Sequence, residues 1–238
     1  MNMLMLSVDS SATPASVCLT EDGKILADYY LNIGLTHSQT LMAMTESVLR
    51  IGGKAASDID VYAVTNGPGS FTGVRIGVSA VKGMAFASDK PCIAVSTLES
   101  MAYLFLGQNA YICACMDARR NQVYNAVFRV DNNLIERVCD DRAIAVDELL
   151  DELQSLDNKV ILVGDGAHLV SEASNDPKLA VAPEHIRYQR ASAVAAAALE
   201  KYNRGDKITP AALMPSYLRL SQAERERNAK LSQKEGLS

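Results

Sequence analysis

The feature that most constrains this chain is an order of elements that occurs twice. Residues 3–8 (MLMLSV), 16–20 (SVCLT) and 24–31 (KILADYYL) are short apolar runs, and the tight turn EDG joins the last two. That pattern predicts an antiparallel hairpin lying beside a third strand. From His37 the period becomes helical, with Leu41, Met44, Val48 and Ile51 on one stripe that stops at Gly52-Gly53. DIDVYAVTN (58–66) predicts a buried strand. A helix follows from about Val74 to Ser88, then a strand at CIAVST (92–97) and a helical stretch LESMAYLFLG. Near residue 110 the order begins again. AYICACMDARRNQVYNAVFRV predicts a strand, a polar turn and a second strand, and NLIERVCD supplies a third. VDELLDELQSL then predicts an amphipathic helix, KVILVGDG a buried strand and SAVAAAALEKY an alanine-rich helix. Three antiparallel strands followed by alternating helices and strands, twice over, predict two related α/β lobes. Their expected limits are residues 1–105 and 106–220. Residues 221–238 (SQAERERNAKLSQKEGLS) have almost nothing apolar to bury, so a flexible polar tail is expected there.

Composition narrows the function classes. The 238 residues are 48% apolar and 21% charged, as in an ordinary globular protein. A formal charge of −5 argues against a surface whose main task is to neutralise nucleic-acid phosphates. Contact with RNA is therefore expected through a partner. The five cysteines (Cys18, Cys92, Cys113, Cys115 and Cys139) contain no CxxC pair, which suggests neither a disulfide framework nor a zinc ribbon. Cys113 and Cys115 would share one face of a strand as buried thiols. No run approaches a membrane span and the N-terminus turns polar too soon for a signal peptide, so a cytoplasmic protein is expected.

The stretch TNGPGSFTGVRIG (65–77) is the first candidate site. A glycine-rich loop running into a helix often cradles phosphate. This one lacks the Lys-Ser or Lys-Thr ending with which a Walker A loop reaches the outer phosphates and magnesium. Ser70 or Thr72 can cap the helix. Small residues then recur at Gly73, Gly77, Ala80, Gly83 and Ala87, and interior glycines cost roughly 1 kcal/mol each relative to alanine. Close approach of another backbone would explain them. That backbone could belong to the same lobe or to a second subunit.

Six motifs in one order carry a resemblance to a known family: DSS after the first strand, HSQTLM opening the first helix, NGPGSFTGVRIG, MDARRNQVY, GDG and PSYLR. Over roughly residues 3–220 the chain resembles bacterial TsaB, also called YeaZ. The resemblance implies the two-lobed α/β fold of actin, Hsp70 and sugar kinases, with mixed sheets. It implies a non-catalytic partner of TsaD, the paralogue that transfers a threonylcarbamoyl group to the adenosine beside the anticodon in tRNAs reading ANN codons. TsaE would join the complex, tRNA would be met through it, and the isolated chain would form a homodimer. No cofactor of its own is implied, and ATP would belong to the partner complex. The first two helices would be the docking surface: Leu41, Met44 and Val48, with Gly73, Ile76, Gly77, Ala80, Gly83, Met84 and Ala87. On that basis Gly77→Leu or Ala80→Glu should abolish complex formation and leave the monomer folded.

The residues also bear on whether the chain does its own chemistry. Asp9, Ser10 and Ser11 stand where nucleotide-binding members of this fold hold metal-bound water and phosphate. They equally suit a tight turn stitched by its own side chains. In the matching second-lobe turn, Met116-Asp117-Ala118-Arg119-Arg120 places side chains where a phosphate loop needs glycine. Asp117 would anchor one of the arginines. TsaD carries two histidines four apart on a helix; here Leu41 stands four after His37, so no metal-binding pair is expected. There is no GxSxG elbow and no cysteine beside a histidine in an electropositive motif. An ATPase or small-molecule kinase, and the metal-dependent glycopeptidase of older family labels, are the alternatives.

Overall fold

A computed structural model describes residues 2–219. The sequence expectations for residues 221–238 lie outside them. The first lobe is built from β1 (Leu4–Asp9), β2 (Ala15–Glu21), β3 (Lys24–Leu31), α1 (His37–Ile51), β4 (Val61–Gly67), α2 (Phe71–Ser88), β5 (Cys92–Ser96) and α3 (Thr97–Ala102). The second holds β6 (Gln108–Asp117), β7 (Gln122–Asn132), β8 (Leu134–Arg137), β9 (Arg142–Ala145), α4 (Val146–Gln154), β10 (Val160–Val163), α5 (Ala167–Glu172), β11 (Leu179–Val181), α6 (Glu184–Arg187) and α7 (Ala191–Arg204). The sequence signals named the long elements. They missed β9, α5, β11 and α6, which have three to six residues and too few periods to read.

The repeat is real in the topology. The first sheet runs β3-β2-β1-β4-β5, and the second, read from its far edge, runs β8-β7-β6-β10-β11. In each, the first two pairings are antiparallel and the last two parallel. The β2–β3 turn uses Asp22 and Gly23, both at positive φ, as a two-residue hairpin requires.

Strand alternation then decides which helix goes where. Leu4, Leu6 and Val8 of β1, with Tyr62 and Val64 of β4, face a core closed by α1 and α2. Met5, Val61 and Ala63 point the other way, into a core that holds Val194, Ala195, Ala197 and Ala198 of α7. The last helix of the second lobe thus covers the back of the first sheet. In return, Leu98, Met101 and Ala102 of α3 pack on Ile112, Ala114 and Phe128 of the second sheet. Each such buried side chain of leucine size contributes about 1.5–3 kcal/mol.

The division near residue 105 falls where one sheet hands over to the other. Yet α7 and the chain after it, grouped by sequence with the second lobe, pack on the first. Residues 1–105 contain no spare helix for the back of a sheet that is apolar on both faces. The alanine content of α7 suits this position, because short side chains let a helix lie close to a sheet and to α3. Beyond α7, Ile208 exchanges both backbone hydrogen bonds with Cys92 at the edge of β5.

Candidate functional site

A cleft of about 920 Å³ opens between the lobes. Its lining comes from four turns that end strands and from the chain's last described residues: Ser11–Thr13 after β1, Pro68–Thr72 after β4, Met116–Arg119 after β6, Asp165 after β10, and Ser216–Arg219. The glycine-rich loop forms one rim, so whether it cradles a ligand can be read from what touches it.

Its glycines are taken up by the protein's own backbone. A Cβ on Gly69 would collide with the carbonyl oxygen of Ser11, one on Gly73 with the carbonyl of Ser10, and one on Gly77 with the Ser10 hydroxyl. At Gly67 (φ 123°) the obstruction is the Ser216 carbonyl. Hydrogen bonds hold the approach in place. Ser10 Oγ donates to the Gly73 carbonyl at 2.9 Å, and the Ser70 amide donates to the Ser11 carbonyl at 2.6 Å. Ser70 is the helix cap, accepting from the Gly73 amide. With these bonds made, the loop grips the β1–β2 turn.

The expected cleft residues are stitched into the same turn. Asp9 is buried and its Oδ1 accepts from the Ser11 amide and the Ser11 hydroxyl, each at 3.0 Å. Loss of water around it raises its pKa above the usual carboxylate range, against the pull of those donors. His37 donates from Nε2 to the Ala12 carbonyl at 2.7 Å, tying the first residue of α1 to the far side of the turn. Asp9, Ser10, Ser11 and His37 are therefore brought together as a floor, with most of their polar groups bonded to one another and to the backbone, while His37 Nδ1 is buried without a partner.

The opposite wall is more open. Asp117 accepts at 2.6 Å from the backbone amide of Arg119, so it orders the turn and not a guanidinium. Arg119, Arg120 and Asn121 follow at φ of 64°, 57° and 55°. Each non-glycine residue in that region costs about 1–2 kcal/mol. Asp165, exposed to the cleft yet hemmed by protein below, accepts from the Asp117 amide at 3.1 Å. Partial burial, and the neighbouring charge of Asp117, raise its pKa. Sequence reasoning missed Asp165 as a cleft residue, although GDG was visible; it missed Tyr217 and Arg219 too, inside PSYLR. Among the described residues, no three His, Cys, Asp or Glu side chains gather as a metal site would require. His168 instead lies 2.7 Å from Arg187, outside the cleft lining. Cys113 and Cys115 share a buried face of β6 with sulfurs 3.5 Å apart, and the bond between them, then burial, raise the Cys115 thiol well above its usual range.

The docking surface needs correction. Leu41, Met44 and Val48 are at most 4% exposed and belong to the core under α1 and α2. Gly73 and Gly77 face Ser10 of their own lobe, so a second subunit is not what they admit. Gly77→Leu should accordingly break the lobe itself. The outer face of α2 carries Ile76, Ala80 and Met84, half-buried at its edge, with Gly83 and Ala87 exposed. Gly83 has open space at its Cβ position. Phe86 (57% exposed) and, on the adjacent helix, Met42 (51%) were overlooked because they lie off the small-residue spacing.

With this geometry in view, the comparisons with known proteins are decisive. A TsaB from Bacillus subtilis (strain 168), named a tRNA threonylcarbamoyladenosine biosynthesis protein, is 31% identical over 227 residues, covering 93% of this chain and 96% of its own. The chain belongs to the TsaB (YeaZ) family. The TsaB of Escherichia coli (strain K12) is 30% identical over 220 residues, covering 91% of this chain and 95% of its own. The family model described as "TsaD: tRNA N6-adenosine threonylcarbamoyltransferase" matches residues 33–230. A Pseudomonas aeruginosa crystal structure, described as an uncharacterized protein with similarity to peptidase YeaZ, superposes with a TM-score of 0.80 at 27% identity. It covers 91% of this chain and all of that one. The TsaB resemblance and the two-lobed α/β fold read from six motifs both stand.

Proposed function

We propose that this chain serves the biosynthesis of threonylcarbamoyladenosine in tRNA as a non-catalytic partner that docks and activates TsaD. The pathway is that named for its TsaB relatives. The observation that carries the partner role is the outer face of α2, where Gly83, Phe86 and Ala87 are exposed and Ala80, half-buried against the lobe's core, leaves part of its surface uncovered. Small residues at this spacing let a partner helix approach closely. The bonds of Asp9 and Ser10 to the floor's own turn and glycine loop support a subunit that does no phosphoryl transfer of its own. ATP, and most contacts to tRNA, then belong to the partners. TsaE joins the same complex, and in isolation the chain pairs with a second copy through the α2 face. Among the described residues no helix is long and apolar enough to cross a membrane; we assign the protein to the cytoplasm with its tRNA substrate.

The test is a reconstitution with TsaD, TsaE, the enzyme that forms threonylcarbamoyl-adenylate, and tRNA. Modified adenosine should require this chain. Ala80→Glu should abolish both co-purification with TsaD and modification while the monomer melts as before; full TsaD binding by that variant overturns the docking face. Asp117→Asn should leave modification intact. If it abolishes modification with the complex assembled, the cleft performs chemistry and the partner reading is incomplete.

A further inference from the structure

The segment after α7 returns along α2 and crosses the mouth of the cleft. Its hold on the first lobe is extensive. Leu213 is buried in the core under α1 and α2. Lys82 donates to the carbonyls of Ala211 (3.0 Å) and Leu213 (3.2 Å), and Asn66 Nδ2 donates to that of Met214. The Ser216 amide donates to the Asn66 carbonyl at 2.6 Å, in the space that Gly67 leaves by having no side chain. Tyr217 then stacks on Phe71 with centroids 4.5 Å apart, and Arg75 caps the stack, lying 3.8 Å from the Phe71 centroid and donating to the Tyr217 hydroxyl at 2.7 Å.

The hold on the second lobe is different. Among the described residues, the polar contact is made by Arg219, which donates to the Ala118 carbonyl at 3.1 Å and to Gln122 Oε1, beside the ring of Tyr124. Both acceptors are neutral and sit on the strained turn 117–122. The lobes are otherwise joined through packed cores, with α3 and α7 exchanged and Ala12 in the second lobe's core, and through side-chain bonds away from the strap, such as Ser96 to Asp141 and Gln189 to Ser11. The exchanged helices cannot part without opening a core to water, whereas a guanidinium on two neutral oxygens can.

We propose that residues 213–219 are a strap that latches the two lobes across the cleft, anchored to the first lobe by the Phe71–Tyr217–Arg75 stack and released from the second at Arg219. The exchanged helices are the hinge side and Arg219 sets the width of the mouth. This goes beyond the partner role and holds whether or not the chain activates TsaD. It also gives Gly67 and Arg75 a purpose that neither a ligand nor the core supplies.

The test uses the full chain with spin labels at Thr72→Cys and Asn121→Cys, on opposite rims. The parent should give one narrow distance distribution. Arg219→Ala should lengthen and broaden it, and amide exchange in the turn 117–124 should speed by about tenfold, the scale expected for losing ordinary hydrogen bonds. Exchange in the loop 66–72 should not change. Arg219→Lys should fall between, because a point charge cannot serve two separated acceptors as a planar fork does. Tyr217→Ala should broaden the same distribution from the other end and speed exchange in 66–72. If either alanine variant leaves the distances unchanged, the exchanged helices alone set the spacing and the latch does not exist. If Arg219→Ala loosens 66–72 as much as 117–124, the strap has no independent anchor and the proposal is equally wrong.

Discussion

In the first lobe Gly69, Gly73 and Gly77 close on the turn at Ser10 and Ser11; in the second, Gly164 and Gly166 close on the end of β6 at Cys115, Met116 and Asp117. The strand order is the same, and so is the device: glycines after β4 and after β10 admit the backbone that ends β1 and β6. What differs is the depth of the grip. The first lobe adds a buried carboxylate, a histidine bond and a capped eighteen-residue helix, which make a closed floor. The second follows its glycines with a six-residue helix, α5, and leaves Asp117, Arg119 and Arg120 exposed to solvent. One duplicated plan has become a rigid half that presents α2 and a looser half that forms the open wall.

The largest effect that would break this comparison lies in α2. Gly73→Leu forces a side chain into the Ser10 carbonyl and should cost 3 kcal/mol or more, about the upper range for overpacked cores. Thermal melting would read it, and a near-parental melting temperature would mean that the floor is not gripped. Gly164→Ala in the second lobe combines a φ of 94° with the Cys115 carbonyl. We expect a loss of roughly 2 kcal/mol, less than in the first lobe because a shorter helix must shift.

The buried floor should also show in pH. The folded pKa of Asp9 is raised, so the stability it contributes is fully present below the ordinary carboxylate value, about pH 4, and is lost as pH rises through the raised value. Asp9→Asn keeps an oxygen for the Ser11 amide and hydroxyl without the charge. Denaturant titrations should find it at least as stable as the parent at pH 7, with a flatter decline above pH 4. A less stable variant at pH 7 would show that the floor needs a negative charge, as a bound cation would require.

Two smaller substitutions should act in the opposite direction. Arg120→Gly relieves a left-handed residue on the open wall and should gain up to about 1 kcal/mol. Gly83→Ala, with nothing within reach of its Cβ, should gain at most about 1 kcal/mol from helix propensity. If Gly83→Ala destabilises as Gly73→Leu does, the two faces of α2 have been assigned wrongly.

Much of this molecule is legible in one dimension because it is local. The EDG hairpin, the stripe at Leu41, Met44 and Val48, the Ser70 cap and the doubled order of strands and helices each rest on neighbours in the chain. The sequence by itself therefore determined two related α/β lobes, a buried thiol pair on β6, and a glycine loop that lacks a Walker A ending. It could not say which buried stripe faces the core, since a core contact and a docking contact ask for the same apolar residues. Nor could it say whose backbone the glycines admit, because Gly67 meets Ser216 almost 150 residues away. Only the tertiary structure decided that α3 and α7 trade lobes, that Asp165 joins Asp117 in the cleft, and that Arg219 reaches across its mouth. Each depends on groups far apart in the chain, brought together because a sheet apolar on both faces must be covered from both sides.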